Sequence, residues 1–467
     1  MRLGLVLLGA TALSAFVLTS NDAQACGGCF PPEGEQQSVV TDHRMILSVS
    51  KTQTTLYDQI QYTGNPSEFA WVLPISGTVE VGLSADTLFG ALHNLSAVVV
   101  QEPPRNCPPP PNCGYEESAA NDAFGSGGTS ADASAPPGVE VIKKEVVGPY
   151  ETVQLKSDDP SALDTWLAQN KFNVPDDIKP VIAQYVGEKF NFLALKLKPG
   201  AGVSSMRPVR VTTQGASAVL PLRMVAAGTG ANVGVTLWVI GEGRYEPQNF
   251  PWFVIKNEDL TWDWASGSSD YKDIRAARAS VQSGKTWEIE TSEPVNRAQI
   301  QNIVRGLGQV NQQIQDYLPI TDDQGNTTKT ADQVREEDLK MAFEGIASGE
   351  EHLTRMRADL SRPALAVDLL MQASADQTTV ENIRIPQLEK GQPLCPIFDG
   401  NCRQVGTAPR DQAQAQSANN WGQGDETFTC RTGRQNAGSS AALGIGAFVG
   451  LAFVRKVRDR QRRKGRQ

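Results

Sequence analysis

The patterns that most often reveal an enzyme are absent from this sequence. It has only three histidines, and they are scattered, so none stands at a fixed spacing from an acid or a nucleophile. No G-x-S-x-G turn occurs, which excludes the common serine-hydrolase arrangement. The S-G-K-T segment at 283–286 has Ala279 where a phosphate loop needs glycine, and the glycines of 228–234 are wrongly spaced for a dinucleotide turn. The sequence therefore predicts neither a catalytic residue nor a bound cofactor.

Positive charge is scarce in the body of the chain. The last thirteen residues, 455–467, contain eight of the basic side chains. The remaining residues, 26–454, include 34 basic and 50 acidic side chains, which gives a net charge of about −16. Such a body repels phosphate backbones, so we expect no nucleic-acid partner. The separation of the basic cluster from the body follows the positive-inside rule of membrane proteins.

The first residues have the pattern of a secretory signal peptide. Arg2 precedes an apolar stretch over 3–18, and Ala23 and Ala25 fit the small-residue cleavage pattern before Cys26. We expect this segment to be removed on export. A lipoprotein signal is the alternative, because Cys26 would then become the first residue, but a polar spacer separates it from the apolar stretch.

Seven cysteines would remain after export, and six of them fall into close pairs along the chain. The pairs are Cys26 with Cys29, Cys107 with Cys113, and Cys395 with Cys402. In an oxidising compartment each pair predicts a short disulfide loop. The C-G-G-C spacing of the first pair is also typical of a redox dithiol, although no βα unit follows it. No two-plus-two spacing of cysteine and histidine indicates zinc, so we expect no metal.

Strand-like and helix-like patterns divide the body into segments that predict an α+β fold rich in strands. Short β-branched and aromatic runs indicate strands, and apolar residues at three- and four-residue steps indicate helices. The predicted segments are a signal peptide at 1–25, a β-rich segment at 26–100, a Pro/Gly/Ser-rich insertion at 101–138, a β-rich segment with two helices at 139–290, a helical segment at 291–390, a cysteine-containing linker at 391–436, and an apolar run with a basic tail at 437–467. Two predicted strands that end in Leu-Pro echo each other, which either duplication or chance would explain.

Several helices are predicted together with their ends. Ser84 is the expected N-cap of a helix in the first β-rich segment. Thr330 and Gln333 form a capping box at the start of another helix. The stretch 294–374 is helical in pattern, which places His352 in a helix.

Two tryptophans and three carboxylates gather in the segment "DLTWDWASGSSD". They are Asp259, Trp262, Asp263, Trp264 and Asp270. They could line a carbohydrate-stacking or cation-binding loop, although the spacing differs from the twelve-residue calcium loop. Alternating tryptophans in a strand are also ordinary sheet packing. The three carboxylates are the first candidates if the protein is an exported hydrolase.

The end of the chain combines a lone cysteine, Cys430, an apolar run at 441–454 and the basic cluster at 455–467. The run is short for a membrane span and weakly hydrophobic. This order of features resembles the tripartite C-terminal sorting tails of myxobacterial surface proteins. The resemblance implies that the tail is removed and that Cys430 takes part in anchoring. A permanent inner-membrane anchor is the alternative, and in both cases the expected partners are the membrane and the export and tail-processing machinery.

Four stretches resemble an exported bacterial family catalogued as domain of unknown function 2330. They are "ACGGCF", "IQYTGNPSEFAWVLPI", "LTWDWASGSSDYKDIRAARAS" and "HLTRMRADLSRPALAVDLLM". The resemblance implies an exported location and transfers no activity, cofactor or catalytic residue. We therefore predict an exported, envelope-tethered binding or structural surface component. A carboxylate hydrolase and a Cys-x-x-Cys thiol redox protein are the alternatives.

Overall fold

The chain forms two compact units, each built from two stretches of sequence. The computed structural model describes residues 29–30, 40–59, 70–108, 140–170, 172, 174, 176, 178–198, 205–226, 229–310, 314–321, 326–399 and 403–419. The large unit spans 1–104 and 118–392, and the small unit spans 105–117 and 393–467.

Strands outnumber helices in the described residues. The strands are β1 (Cys29–Phe30), β2 (Val40–Val49), β3 (Gln53–Asp58), β4 (Ala70–Ile75), β5 (Glu80–Leu83), β6 (Val99–Val100), β7 (Glu140–Val147), β8 (Tyr150–Lys156), β9 (Asn191–Leu197), β10 (Val209–Gln214), β11 (Val219–Leu220), β12 (Thr229–Glu242), β13 (Tyr245–Pro247), β14 (Trp252–Phe253), β15 (Thr261–Asp263), β16 (Ser268–Ser269), β17 (Trp287–Pro294), β18 (Ile320–Thr321), β19 (Thr327–Lys329), β20 (Glu351–Ser361), β21 (Leu369–Ala373), β22 (Ile383–Arg384), β23 (Leu388–Lys390), β24 (Leu394–Phe398) and β25 (Gln404–Pro409). The helices are α1 (Asp86–Ser96), α2 (Pro160–Gln169), α3 (Lys179–Gly187), α4 (Leu222–Val225), α5 (Tyr271–Ala279), α6 (Val281–Gly284), α7 (Arg297–Val310), α8 (Ala331–Ala342) and α9 (Arg410–Asn419).

Two sheets dominate the large unit. The eight-stranded sheet has the order β14-β17-β20-β12-β2-β3-β10-β5, and its neighbours are antiparallel except for β12 with β2 and β14 with β17. The five-stranded sheet has the order β1-β4-β9-β8-β7 and is antiparallel throughout. Shorter sheets, β11-β21-β13 and β16-β15-β23 among them, extend the unit.

The large unit is a four-layer sandwich of helices, two sheets and helices. Between the sheets, side chains from alternate positions of the strands form the largest apolar cluster, with Trp71, Leu193 and Leu237 fully buried. Helices α1, α7 and α8 cover the other face of the eight-stranded sheet around Trp238. Helices α2 and α3 cover the other face of the five-stranded sheet around Phe192. The predicted α+β class is confirmed.

Part of the predicted helical stretch is a strand. Helices α7 and α8 lie within this stretch, and α8 begins with the predicted capping box, in which Thr330 accepts a hydrogen bond from the backbone of Gln333. Residues 351–361, however, form β20, so the prediction that His352 lies in a helix was wrong. Polar and apolar residues alternate from Arg355 to Ser361, and the pairing of this segment with β12 and β17 stabilises the strand conformation.

One other local prediction, the Ser84 cap, differs from the structure, and the two Leu-Pro strands that echo each other in sequence occupy different places. Ser84 does not cap α1, because its hydroxyl donates to the buried carboxylate of Asp338, and the helix begins after Ala85 without a side-chain cap. The two Leu-Pro strands are not equivalent elements. One is β4 of the five-stranded sheet, whereas the other is β11 of a three-stranded sheet, which α4 follows directly.

The described residues of the small unit form a β-hairpin and a helix on a very small core. Strands β24 and β25 pair antiparallel, and α9 packs against both. Its apolar cluster contains four buried residues and half-buried Cys107, and the four are Cys395, Ile397, Ala408 and Ala413. These elements lie within the predicted linker 391–436, so part of that segment is folded.

Candidate functional site

The carboxylates of the predicted ligand or cation site have separate partners. Asp259 Oδ1 lies 2.7 Å from Nη2 of Arg278, and Asp263 Oδ2 lies 2.7 Å from Nζ of Lys390. The hydrogen bonds from these cations lower the pKa of both carboxyl groups. Asp270 accepts a backbone N–H at the start of β15. Within the described residues, no three His, Cys, Asp or Glu side chains are placed to hold a metal ion.

The tryptophans of that segment pack beside each other. The rings of Trp262 and Trp264 meet edge to face with 6.3 Å between their centroids. Trp262 is buried, and Trp264 Nε1 donates to Glu389 Oε2 at 2.7 Å. This arrangement fits strand packing between β15 and β23. A role of these residues in binding a ligand stays a prediction.

The disulfide pairing differs from the nearest-neighbour prediction. Cys107 is bonded to Cys395, with 2.07 Å between the sulfurs and 5.4 Å between the Cα atoms. The predicted pairs of Cys107 with Cys113 and of Cys395 with Cys402 were therefore wrong. Spacing along the chain misled the prediction, because the small unit joins two segments whose cysteines are 288 positions apart. Outside the described residues, or described only in their backbone, are Cys26, Cys29, Cys113, Cys402 and Cys430.

A row of polar side chains crosses the eight-stranded sheet on the face that α1, α7 and α8 partly cover. Arg44 of β2, Thr236 of β12 and Arg357 of β20 are neighbours in register, and Glu288 of β17 continues the row. Adjacent strands are about 4.8 Å apart, so Arg44 and Arg357 flank Thr236 with roughly 10 Å between their Cα atoms. Both side chains are long enough to meet above the threonine.

The next row along the same strands contains Trp238 and Arg355. The Cζ atoms of Arg44 and Arg355 each lie 5.4 Å from the centre of the Trp238 ring system, and that of Arg44 lies 5.9 Å from the ring of Phe89. Trp238 is fully buried, and its Nε1 donates to Ser96 Oγ at 2.9 Å. Cation–π attraction to a fixed indole therefore helps to hold two like charges in one place.

Two buried carboxylates lie on the β17 side of the arginines. Glu290 Oε2 is 2.6 Å from Nε of Arg355. Glu288 accepts a hydrogen bond from the Tyr271 hydroxyl at 2.8 Å, and its Oε2 lies 3.1 Å from Nε of Arg275. Burial and then the Glu290 charge raise the pKa of Glu288 from 4.5 to about 7. Two carboxyl groups in different environments can serve as an acid and a base. Glu288 and Glu290, however, are only 1% and 4% exposed, so a substrate cannot reach them.

His93 lies at the exposed edge of this group, in the last turn of α1. Its Nδ1 is 3.3 Å from Nη1 of Arg355. Arginine has only donors, so Nδ1 accepts, and we assign the proton of the neutral ring to Nε2. Partial burial, and after it the charges of Arg355, Arg44 and Arg357, lower the pKa of His93 to about 4. His93 is therefore neutral near pH 7 and offers an N–H donor.

Arg357 differs from the other arginines of the row. It is half-buried, and its Nε is shielded from solvent without a hydrogen-bond partner. In the described part of the chain no carboxylate forms an ion pair with it, whereas Arg355 and Arg275 both have carboxylate partners. We call Arg44, Arg355, Arg357 and His93 the arginine site. An uncompensated cation at half-buried depth favours a bound anion.

Other polar atoms without partners lie deeper in the fold. Asp58 Oδ1, Trp71 Nε1 and both ring nitrogens of His43 are buried and unpartnered among the described residues. Asp58 and Trp71 line a cavity just large enough for one water molecule. Burial raises the pKa of Asp58 from 3.8 to about 7 and lowers that of His43 to about 3. These enclosed groups affect the stability of the large unit.

Sequence reasoning missed the arginine site although a signal for it was present. Arg355 and Arg357 are two positions apart in "HLTRMRADL", so a strand places both on one face. The helical prediction for this stretch hid that relation, because a helix separates such positions by about 200°. The contribution of Arg44 and His93 depends on contacts between segments that no local pattern shows.

None of the helices in the described ranges has the length and apolar character that a bilayer crossing requires. The apolar run at 441–454 lies outside those ranges.

Comparison with known proteins identifies a family whose function is open. A family model described as "Uncharacterized protein conserved in bacteria (DUF2330)" matches residues 21–367. No curated protein matches the chain. Among solved structures, a mutated baculovirus P35 after caspase cleavage is similar over 45% of this chain and 70% of its own, with 10% identity and a TM-score of 0.22, which is too low to support an argument. Because the family match covers most of its length, the chain belongs to the DUF2330 family of uncharacterized bacterial proteins.

Proposed function

We propose that the protein is an exported, envelope-held binding protein whose ligand contacts the arginine site. The observation that carries the proposal is the unpaired Arg357 beside the other arginines of the site and the exposed ring of His93. A cationic group that is fixed by packing and open at one edge suits recognition of a ligand. The buried position of Glu288 and Glu290 disfavours acid–base catalysis at this place.

Two features support export. The leader-like pattern at 1–25 fits a cleaved signal. The bond between Cys107 and Cys395 joins distant segments of the small unit, and bonds of this structural kind persist in oxidising compartments. Non-reducing peptide mapping of protein recovered from the envelope should yield the linked peptides of Cys107 and Cys395, and free thiols at both positions would contradict export to such a compartment.

The proposed anchoring uses the end of the chain. Residues 455–467 remain on the cytoplasmic side while the apolar run halts export, and cleavage near Cys430 then releases the body to the cell surface. A permanent inner-membrane anchor is the alternative. Mass spectrometry of surface-exposed protein separates the two, since recovery of an intact Gln467 rules out processing. Replacement of Cys430 by Ala should also detach the protein from the surface.

Complementation of a deletion strain separates binding from carboxylate hydrolysis. The amide variants Asp259→Asn, Asp263→Asn and Asp270→Asn should each restore the wild-type phenotype if the protein only binds. Arg357→Gln should not restore it, although it accumulates normally. If Asp263→Asn alone abolishes function in a folded, correctly located protein, the hydrolase alternative is favoured, because acid and base groups do not tolerate this change.

A further inference from the structure

We propose that the arginine site binds an oxyanion group, a phosphate or a carboxylate, between Arg44 and Arg357. This inference rests on the proposed binding function and names the chemistry of the ligand. The two arginines stand on either side of Thr236 in register, with Arg355 one row away.

The charge balance of the site requires a negative partner. Three guanidinium groups lie close enough to His93 to affect its ring. Glu290 is paired with Arg355, and Glu288 is directed to Tyr271 and Arg275. The carboxylate of Asp86 lies close enough to Arg44 for their charges to interact. The half-buried Arg357 has no carboxylate partner among the described residues. An oxyanion would compensate the charge of Arg357 and reduce its repulsion with the neighbouring arginines.

The donors of the site have the geometry that oxyanions need. Each guanidinium group presents parallel N–H bonds that match two oxygens of a phosphate or carboxylate. Arg44 and Arg357 can approach one anion from opposite sides of Thr236. The Nε2–H of His93 adds a third donor, because Arg355 occupies the other ring nitrogen. Arg355 acts through His93 as a positioning residue.

Packing prepares the site before a ligand arrives. Arg44 lies against the rings of Trp238 and Phe89, and Arg355 is fixed by Glu290. Side chains that are already ordered lose less conformational entropy when they bind. The acidic body, with a net charge of about −16, repels extended polyanions. Together these features select a compact anionic group.

Equilibrium titration of the purified full-length protein tests the proposal. Inorganic phosphate and succinate are used separately at constant ionic strength, and binding is followed by calorimetry and by the melting temperature. We expect saturable binding of one or both anions to the wild type. Arg357→Gln should weaken that binding about tenfold or more, the effect of losing a hydrogen bond to a charged group. Arg362→Gln, which removes an exposed arginine elsewhere on the large unit, should change it less than twofold.

A second readout separates binding from a structural role. Without ligand, Arg357→Gln should melt at or above the wild-type temperature, because it relieves repulsion. With ligand, only the wild type and Arg362→Gln should gain stability. Arg357→Lys should bind with intermediate strength, since it keeps the charge and loses the planar fork.

The outcomes assign the anion or overturn the proposal. Binding of phosphate alone identifies a phosphate-bearing ligand, and binding of succinate alone identifies a carboxylate-bearing one. If neither anion binds saturably, or if Arg357→Gln and Arg362→Gln bind alike, the oxyanion proposal is wrong. The broader binding proposal would still stand if Arg357→Gln failed to complement the deletion strain while neither anion bound.

Discussion

The large and the small unit are stabilised in different ways. Three apolar clusters support the large unit, and their fully buried members include Trp71, Trp238 and Trp287. Among its described residues, the small unit has one cluster of four buried residues, and two of these are alanines. Burial of a large apolar side chain contributes roughly 1.5 to 3 kcal/mol, so the small cluster alone provides little beyond the entropy lost on folding.

The difference shows why the disulfide lies where it does. Small folded units commonly need a covalent or metal link, because their surface is large relative to their core. Cys395 is itself a buried member of the small cluster, and Cys107 packs against it. The bond thus joins the two chain segments of the small unit, while the large unit depends on burial.

The largest effect is expected from removing this bond. In the double variant Cys107→Ala/Cys395→Ala, the small unit should lose its stable fold, because a structural disulfide in a small domain contributes about 2 to 5 kcal/mol. Amide exchange of β24, β25 and α9 should become fast. Strands β12 and β20 should keep their protection, since neither cysteine belongs to their clusters. Unchanged protection of β24 would contradict this account.

The same chemical change in the two cores should have different consequences. Leu237→Ala in the large unit should lower the free energy of unfolding by about 2 to 5 kcal/mol and leave a folded protein. Ile397→Ala removes a similar side chain from the small cluster, which has only four buried members among the described residues. It should unfold the small unit locally, as measured by amide exchange at β25. A folded small unit in this variant would show that its core is stronger than its size indicates.

Buried Asp58 should make the stability of the large unit depend on pH. Its pKa is raised from 3.8 to about 7 by burial, so protonation favours the folded state. Its destabilising effect develops as the pH rises from about 4 through 7 and is complete above that range, with an upper limit on the order of 4 kcal/mol. Asp58→Asn should therefore raise the melting temperature at pH 8 and have little effect near pH 4.

An exposed carboxylate provides the control for that experiment. The pKa of Asp176 is lowered by its hydrogen bond with Lys179, so Asp176→Asn should give no gain at pH 8. Parallel stability curves of Asp58→Asn and the wild type between pH 4 and 8 would show that the carboxyl group does not titrate as described.

The smallest effect is expected at a helix end. Thr330→Ala removes the hydroxyl that accepts the backbone N–H of Gln333 at the start of α8. Loss of such a cap lowers stability by about 1 kcal/mol. Thr327→Ala at an exposed position of β19 is the matched control and should change the melting temperature less. Equal melting temperatures of the two variants would argue against a stabilising cap.

Local patterns predicted many elements of the fold. The capping box of α8 follows from hydrogen bonding between side chains and backbone within a few residues. The two exceptions involve distant partners. Asp338 accepts a hydrogen bond from the Ser84 hydroxyl, which is therefore not available to cap α1. Pairing with β12 and β17 determines that 351–361 is a strand.

The candidate site was less accessible to sequence reasoning than the fold. The segment at 259–270 was predicted as a ligand or cation site because its aromatic and acidic residues are close along the chain. In the structure, Asp259 and Asp263 are committed to Arg278 and Lys390. The arginine site instead joins β2, α1 and β20, whose residues are far apart in sequence.

The sequence by itself determined what depends on composition and on neighbouring residues: the acidic body, the α+β class, the capped start of α8 and the absence of common catalytic motifs. Only the tertiary structure decided that Cys107 pairs with Cys395 and that Arg44 and Arg357 flank one strand. The physical reason is that disulfide bonds and charge interactions depend on distance in space. Strand pairing and the joining of two chain segments bring those residues together. Their closeness in space cannot be read from their spacing along the chain.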